Sequence, residues 1–272
     1  MTKHFLIPVG AAVALLCAVT VSASEAPTEH AWFILQEGLT SKRAARRTNA
    51  VHALRILAHN SRAQDLVEQA LTDPDPKVRA AAARALGPME AISSEPKLKA
   101  LLNDREPFVV LAAAHSLFLL GDRREVYDID YEVLNGERKS ADGFVASQIS
   151  ELRDPKAVAA MGLETGIGFM PFGGEAYDVY KRVRKDDVTP VRVAAAKELI
   201  GDRDPKVDAA LTKACSDRKW SVRAAAVFAI AKRNNRSLLN VIIRAMEDKN
   251  EIVRFEAAAA VLRLSQRTEV QQ

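Results

Sequence analysis

The side chains that could do chemistry in this chain are few, and their spacing is not that of a catalytic centre. His30, His52, His59 and His115 form no HExxH motif and no other spacing that holds a metal ion. No Gly-x-Ser-x-Gly sequence marks a nucleophilic serine. Cys215 stands where other units carry Leu or Met, so we expect a buried thiol. These observations predict no catalytic residue, no metal site and no cofactor.

The aspartates instead mark a tandem repeat, because five of them stand five residues before a valine and four of those valines precede an arginine. The aspartates are Asp73, Asp104, Asp186, Asp217 and Asp248, and the arginines are Arg79, Arg192, Arg223 and Arg254. The copies recur with a period of 31 residues. Such a period predicts stacked helical units, each of which buries its apolar face against its neighbours.

Each unit is predicted to contain two helices. In the first helix, the residues five, nine and thirteen positions after the aspartate are apolar and share one face. A turn containing glycine or asparagine then leads to a second helix. The sequence therefore predicts an all-α solenoid of stacked antiparallel helix pairs, with about six units and one irregular middle unit. Residues 41–272 form the array, and residues 24–40 form a linker and an N-terminal capping helix.

The Asp-x4-Val-Arg-x-Ala-Ala-Ala pattern resembles the HEAT repeat, in the short form also found in phycobilisome lyases. The resemblance implies a right-handed superhelix whose second helices line the concave side. It also implies that the aspartates and the arginines six residues after them form a ladder between units. That ladder should be interrupted at Asp104, where Val110 replaces the arginine. HEAT-like di-iron hydroxylases carry repeated His-Glu pairs, and no His-Glu dipeptide occurs here.

The period breaks between Asp104 and Asp186, which are separated by two periods and 20 further residues. The extra residues include a glycine-rich insertion at about 162–174. The large apolar residues of this insertion are Phe169, Met170 and Phe172. Behind it stand Tyr177, Tyr180, Lys181 and Arg184. Two interpretations remain open: the loop contacts a partner, or it folds back and seals the junction between two stacks.

The N-terminus predicts export. Lys3, an apolar run over residues 5–21 and the small residues Val21-Ser22-Ala23 are typical of a signal peptide over residues 1–23. The run is also long enough to be retained as a membrane anchor. Without these residues the chain has 38 basic and 35 acidic side chains. Because the two signs alternate along the helices, we expect no nucleic-acid binding.

These observations favour a periplasmic or secreted bacterial protein that works as a non-catalytic scaffold and binds an unidentified protein or peptide. The candidate contacts outside the insertion are Lys97, Lys99, Tyr127, Tyr131, Arg236, Asn240 and Arg244, all assigned to second helices. One alternative is a lyase-like or other enzyme that handles a chromophore or ligand on the same scaffold. Another is an envelope protein whose only membrane contacts are its signal segment and the apolar loop.

Overall fold

The computed structural model describes residues 25–122 and 189–266, and these residues form helices joined by short turns. Within these two ranges, no helix is long and apolar enough to cross a membrane. Short 3-10 turns precede α5 and α10. The helices are α1 Glu25–Leu39, α2 Ala44–Leu54, α3 Ser61–Ala70, α4 Pro76–Leu86, α5 Glu95–Leu101, α6 Pro107–Leu120, α7 Thr189–Glu198, α8 Pro205–Ala214, α9 Trp220–Arg233, α10 Leu239–Ala245 and α11 Glu251–Ser265.

The starts of the first helices follow from local sequence. α4 begins at Pro76, where a missing N–H costs little. Its cap is Asp75, whose carboxylate accepts the Lys77 N–H at 2.8 Å. The repeat aspartate Asp73 lies two residues earlier and accepts the Asp75 N–H at 2.8 Å. It therefore shapes the turn before the helix, whereas the residue after Pro74 caps the helix itself.

The first helices of the units pack side by side in one row, in the order α6, α4, α2, α11, α9, α7. The apolar face predicted at positions five, nine and thirteen is buried in α4, α6, α9 and α11. In α7 that prediction is wrong, because Val191 is 51% exposed and Ala195 is also exposed. The helix ends the described row, so no described first helix packs on its outer side.

The first and last described units are in direct contact, which the repeat pattern did not predict. α1 packs against both α11 and α2, and α11 also packs against α2. α1 thus occupies, beside α11, the place that a second helix takes in the other units. The predicted capping helix does not cover a free end of the stack. It fills the seam, which we define as the contact of α1 and α2 with α11. The helices α6 and α7, which precede and follow residues 123–188, lie at opposite ends of the described row.

The row of first helices curves so that their exposed faces converge. Lys197 on α7 interacts electrostatically with Arg55 on α2 and Glu256 on α11, although α9 stands between α7 and α11 in the row. The second helices α3, α5, α8 and α10 pack on the other side, each on the first helix of a unit. The expectation that second helices line the concave side is therefore wrong: the first helices line it.

Candidate functional site

The ladder joins each first helix to the following unit. Arg79 donates two hydrogen bonds to Asp104, of 2.8 and 2.9 Å, and a third of 3.0 Å to the carbonyl of Asp73. Arg223 binds Asp248 and the carbonyl of Asp217 in the same way. Each arginine therefore holds its own turn, because the six-residue spacing places the backbone carbonyl of its own aspartate in reach. The same side chain also pairs with the aspartate of the next unit.

This geometry corrects the predicted interruption. Asp104 is paired, because its partner Arg79 belongs to the preceding unit. Val110 stands where the next ladder arginine would be, and the unit that such an arginine would reach lies outside the described residues. Asp186 lies outside the described residues, whereas Arg192 pairs with Asp217 as the other ladder arginines do.

A ladder arginine that the pattern search missed is Arg47, which donates to both carboxylate oxygens of Asp73 at 2.7 Å. It stands six residues after Ser41 and donates to the Ser41 carbonyl at 2.9 Å. The serine hid this unit from a search for aspartate. At the seam, Arg254 donates to the carbonyl of Asp248 at 2.7 Å. In the neighbouring unit, Ser41 stands where the other units carry the aspartate that pairs with such an arginine.

Three side chains from α2 and α11 meet at the seam on the concave side. Arg55 Nη1 lies 2.8 Å from Glu256 Oε1, 2.6 Å from the His52 carbonyl and 2.9 Å from His52 Nδ1. One Nη1 carries two hydrogens, so it satisfies two of these three acceptors at a time. Burial, followed by the Arg55 charge, lowers the pKa of His52 to about 4. His52 is therefore neutral at pH 7 and can offer Nδ1 as an acceptor.

Phe228 on α9 covers the same arginine, since the Arg55 guanidinium lies 4.6 Å from the centroid of the ring. Arg263 on α11 adds two backbone contacts, one to the Ala231 carbonyl of α9 at 2.9 Å and one across the seam to the Ile56 carbonyl at 2.6 Å. Arginines from α2 and α11 thus fasten α2, α9 and α11 to one another around the concave face.

Glu256 has one carboxylate oxygen without a partner. The residue is 5% exposed, and Oε2 is buried and accepts no hydrogen bond. Burial by itself would raise the pKa of this carboxyl, but the charge of Arg55 and the hydrogen bond that Arg55 donates hold it below its ordinary value. Glu256 is therefore a carboxylate at pH 7, with an unused acceptor at the base of the concave face.

Arg55 and Lys197 both interact electrostatically with Glu256, and further basic residues lie on the same face. We define the inner cation cluster as the five basic side chains of the concave face, Arg55, Arg84, Lys197, Lys232 and Arg263. Burial, and then the charge of Arg55, lowers the pKa of Lys197 to about 8. Burial also lowers the pKa of Lys232, with further contributions from Arg263 and Arg55. These cations are partly dehydrated and repel one another.

Three members of the cluster have no acidic partner. Among the described residues, no carboxylate lies within ion-pair distance of Arg84, Lys197 or Lys232. Lys232 lies 6.0 Å from the centroid of the Phe228 ring. Partly buried cations are normally paired, so this concentration on one face requires an explanation other than stability.

One position of the repeat, eleven residues after the aspartate, predicts residues of the concave face, and the motif search did not use it. His52, Arg84, Lys197 and Phe228 all stand eleven residues after the repeat aspartate or Ser41. One position of the first helix therefore supplies much of the concave face. Sequence reasoning assigned that face to second helices and did not examine position eleven.

The candidate contacts proposed from sequence lie elsewhere. Lys97 on α5 pairs with Glu68, and Lys99 pairs with Asp122 at 2.7 Å. Arg236 donates to the carbonyl of Gln266. Asn240 and Arg244 are exposed on α10. All five are on the second-helix side, away from the inner cation cluster. The remaining candidates, which lie outside the described residues, are Tyr127, Tyr131, Phe169, Met170, Phe172, Tyr177, Tyr180, Lys181 and Arg184.

Comparison with known families supports the repeat assignment. The HEAT repeat family model matches residues 63–129 and 208–271. These two regions are similar to HEAT repeats. Both matches include ladder pairs, Arg79 with Asp104 and Arg223 with Asp248.

Among solved structures, human deoxyhypusine hydroxylase in complex with glycerol is similar at 18% identity, with 89% of this chain and 98% of that chain covered and a TM-score of 0.34. An engineered protein is also similar at 18% identity, with 86% of this chain and 96% of that chain covered and a TM-score of 0.29. No curated protein matches the sequence. Within residues 25–122 and 189–266, no group of three His, Cys, Asp or Glu side chains could hold a metal ion.

Proposed function

We propose that this chain is an exported, non-catalytic scaffold that binds a protein or peptide on the concave face of its first helices. The observation that carries the proposal is the set of three partly buried cations, Arg84, Lys197 and Lys232, without an acidic partner in the described structure. Such a face is stabilised when a ligand of opposite charge covers it. Relative to the sequence-based prediction, the binding surface moves from the second helices to the first.

The non-catalytic part of the proposal is supported by what the reactive side chains do. Burial raises the pKa of the Cys215 thiol to about 12, so the nucleophilic thiolate is scarce at pH 7. The ladder aspartates Asp73, Asp104 and Asp248 each hold an arginine and a backbone N–H. These carboxylates have structural partners that a general acid or base would have to give up.

Export is supported by the N-terminal sequence alone. Residues 1–23 combine a basic start, an apolar run and a small-residue ending. The proposed compartment is the bacterial periplasm or the medium outside the cell. Fractionation of cells that produce the full chain, with N-terminal sequencing of the product, checks this. A product that begins at Ser24 outside the cytoplasm is expected, and a full-length product in the cytoplasm would refute export.

The binding face is tested by proximity labelling from the full chain in the exporting compartment. Three forms are compared: the natural chain, an inner variant with Lys197→Met and Lys232→Met, and an outer variant with Lys213→Met and Arg244→Met. Both variants remove two positive charges and keep an apolar stem, and the outer pair is exposed on the second helices α8 and α10. We expect specific neighbours to disappear from the inner variant alone. Their loss from the outer variant alone would return the binding surface to the second helices.

A further inference from the structure

The concave face combines an excess of positive charge with a hydrogen-bond acceptor that has no donor. The inner cation cluster and the nearby carboxylates Glu256 and Glu90 together carry a net charge of +3, with His52 neutral. Within the same surface, Glu256 Oε2 is a buried acceptor with no donor. A ligand that fits this face must bring negative charge to the cations and a hydrogen-bond donor to the carboxylate.

The extent of the face decides between a small anion and a chain. Arg84 is on α4, Lys232 is on α9, and α2 and α11 stand between them in the row. Lys197 is on a third helix, α7, so the three unpaired cations stand on three different helices. A single carboxylate, with two oxygens, cannot pair with all three. Several separate negative groups on one extended molecule can.

Glu256 also decides which kind of polyanion fits. A nucleic-acid backbone would bring phosphates toward a buried carboxylate and offer it no regular donor. A peptide carries an N–H at each non-proline residue, and its acidic side chains alternate in direction when it is extended.

We infer that the concave face binds an extended acidic peptide segment, whose carboxylates pair with Arg84, Lys197 and Lys232 and whose backbone donates an N–H to Glu256 Oε2. The inference rests on the proposed function and adds the chemical class of the ligand. The desolvated setting makes each pairing stronger than a pair on an open surface.

The test measures fluorescence anisotropy with the full mature chain. The probe is a fluorescein-labelled eight-residue peptide of alternating glutamate and serine, and the matched control peptide replaces each glutamate with glutamine. We expect the acidic peptide to bind at least tenfold more tightly than the neutral one. Roughly tenfold weaker binding is expected for each charged contact removed. Lys197→Met with Lys232→Met removes two contacts and should therefore reduce affinity roughly a hundredfold, whereas Lys213→Met with Arg244→Met should reduce it less than about twofold.

Three outcomes overturn the inference. Equal affinity for the acidic and neutral peptides removes the role of charge. An equal loss in the inner and outer variants shows nonspecific attraction by net charge. Tighter binding of inorganic phosphate or of an eight-nucleotide thymidine strand than of the acidic peptide assigns the face to another ligand.

A second measurement uses the natural chain, so it does not depend on the variants folding. A carbodiimide joins peptide carboxylates to the lysine amines that they contact, and mass spectrometry locates the products. Products at Lys197 and Lys232 support the inference, and products confined to second-helix lysines such as Lys97 and Lys213 contradict it. Failure of both peptide experiments, with neighbours still lost from the inner variant in cells, would overturn the acidic ligand and leave the proposed scaffold function intact.

Discussion

Replacing Gly38 with alanine tests the seam between the first and last described units. A Cβ at this position of α1 would lie 2.6 Å from Phe255 Cε1 on α11 and 2.7 Å from Ala50 Cβ on α2. Carbon atoms normally approach to about 3.5–4.0 Å. Phe255 is 1% exposed and Ala50 is fully buried, so neither side can move away easily. The new methyl group must therefore push α1 out of the space between α2 and α11.

The expected change in stability follows from two opposing effects. Alanine in place of a helical glycine contributes at most about 1 kcal/mol of stability. Overpacking costs about 1–3 kcal/mol, and contact on two immobile sides places this site at the upper end. The net loss is then about 2 kcal/mol, which lowers Tm by about 4–8 °C in a chain of this size.

The assay is thermal and urea unfolding of the full mature chain, followed by circular dichroism. Gly201→Ala is the matched control, because a Cβ there meets nothing within 4 Å, and its effect should stay within about 0.5 kcal/mol. Phe255→Leu makes room beside the new methyl group, so it should cost less in the Gly38→Ala background than in the natural chain. If Gly38→Ala unfolds at or above the natural temperature, α1 is not wedged into the seam and the reasoning is refuted.

Three further predictions concern the ladder and the thiol. Arg79→Met leaves the largely buried Asp104 carboxylate unpaired, so it should lower the free energy of unfolding in urea by about 3 kcal/mol. Arg192→Met removes a side chain that is 46% exposed and should lower it by less than about 1 kcal/mol. Equal losses in the two variants would contradict a role for burial. Burial opposes the ionised form of Asp104, but its bonds to Arg79 and a backbone N–H lower its pKa below the ordinary 3.8, as in the other described ladder aspartates. Their contribution is therefore complete above about pH 5 and lost as pH falls below about 4, so the urea midpoint should drop there, and a flat midpoint from pH 6 to 3 would be the contrary result. Cys215, with its pKa raised to about 12 by burial, should react with iodoacetamide at pH 8 at least tenfold more slowly in the folded chain than in urea, and equal rates would show an accessible thiolate.

Much of the fold was readable from the repeat. Val78, Ala82 and Leu86 share one face because of helical periodicity, and all three are buried. The described second helices α5, α8 and α10 follow the turns at Gly87, Gly201 and Asn234-Asn235, as the pattern predicts. These features depend on residues close in sequence, and each copy of the repeat is an independent observation of the same local physics.

The candidate site was not readable in this way. The pattern predicted a ladder, but the partner of each arginine lies 25 or 26 residues ahead, in the next unit. Only the stacked geometry shows that Arg79 pairs with Asp104. Ser41 hid the first unit from the motif, although Arg47 behaves as a ladder arginine. The pattern gave Lys197 no role, because one sequence does not show which side of a stack is concave.

The sequence by itself determined that this protein is built from stacked helix pairs, since the 31-residue period and its apolar spacing leave each unit an unburied face that only a neighbouring unit can cover. The tertiary structure decided which units are neighbours. It brings Arg55 to Glu256, 201 residues away, and places Phe255 against Gly38. The physical reason is that a period specifies how one unit meets the next, whereas the closure of the first unit on the last depends on shape complementarity between α1, α2 and α11, which no local pattern records.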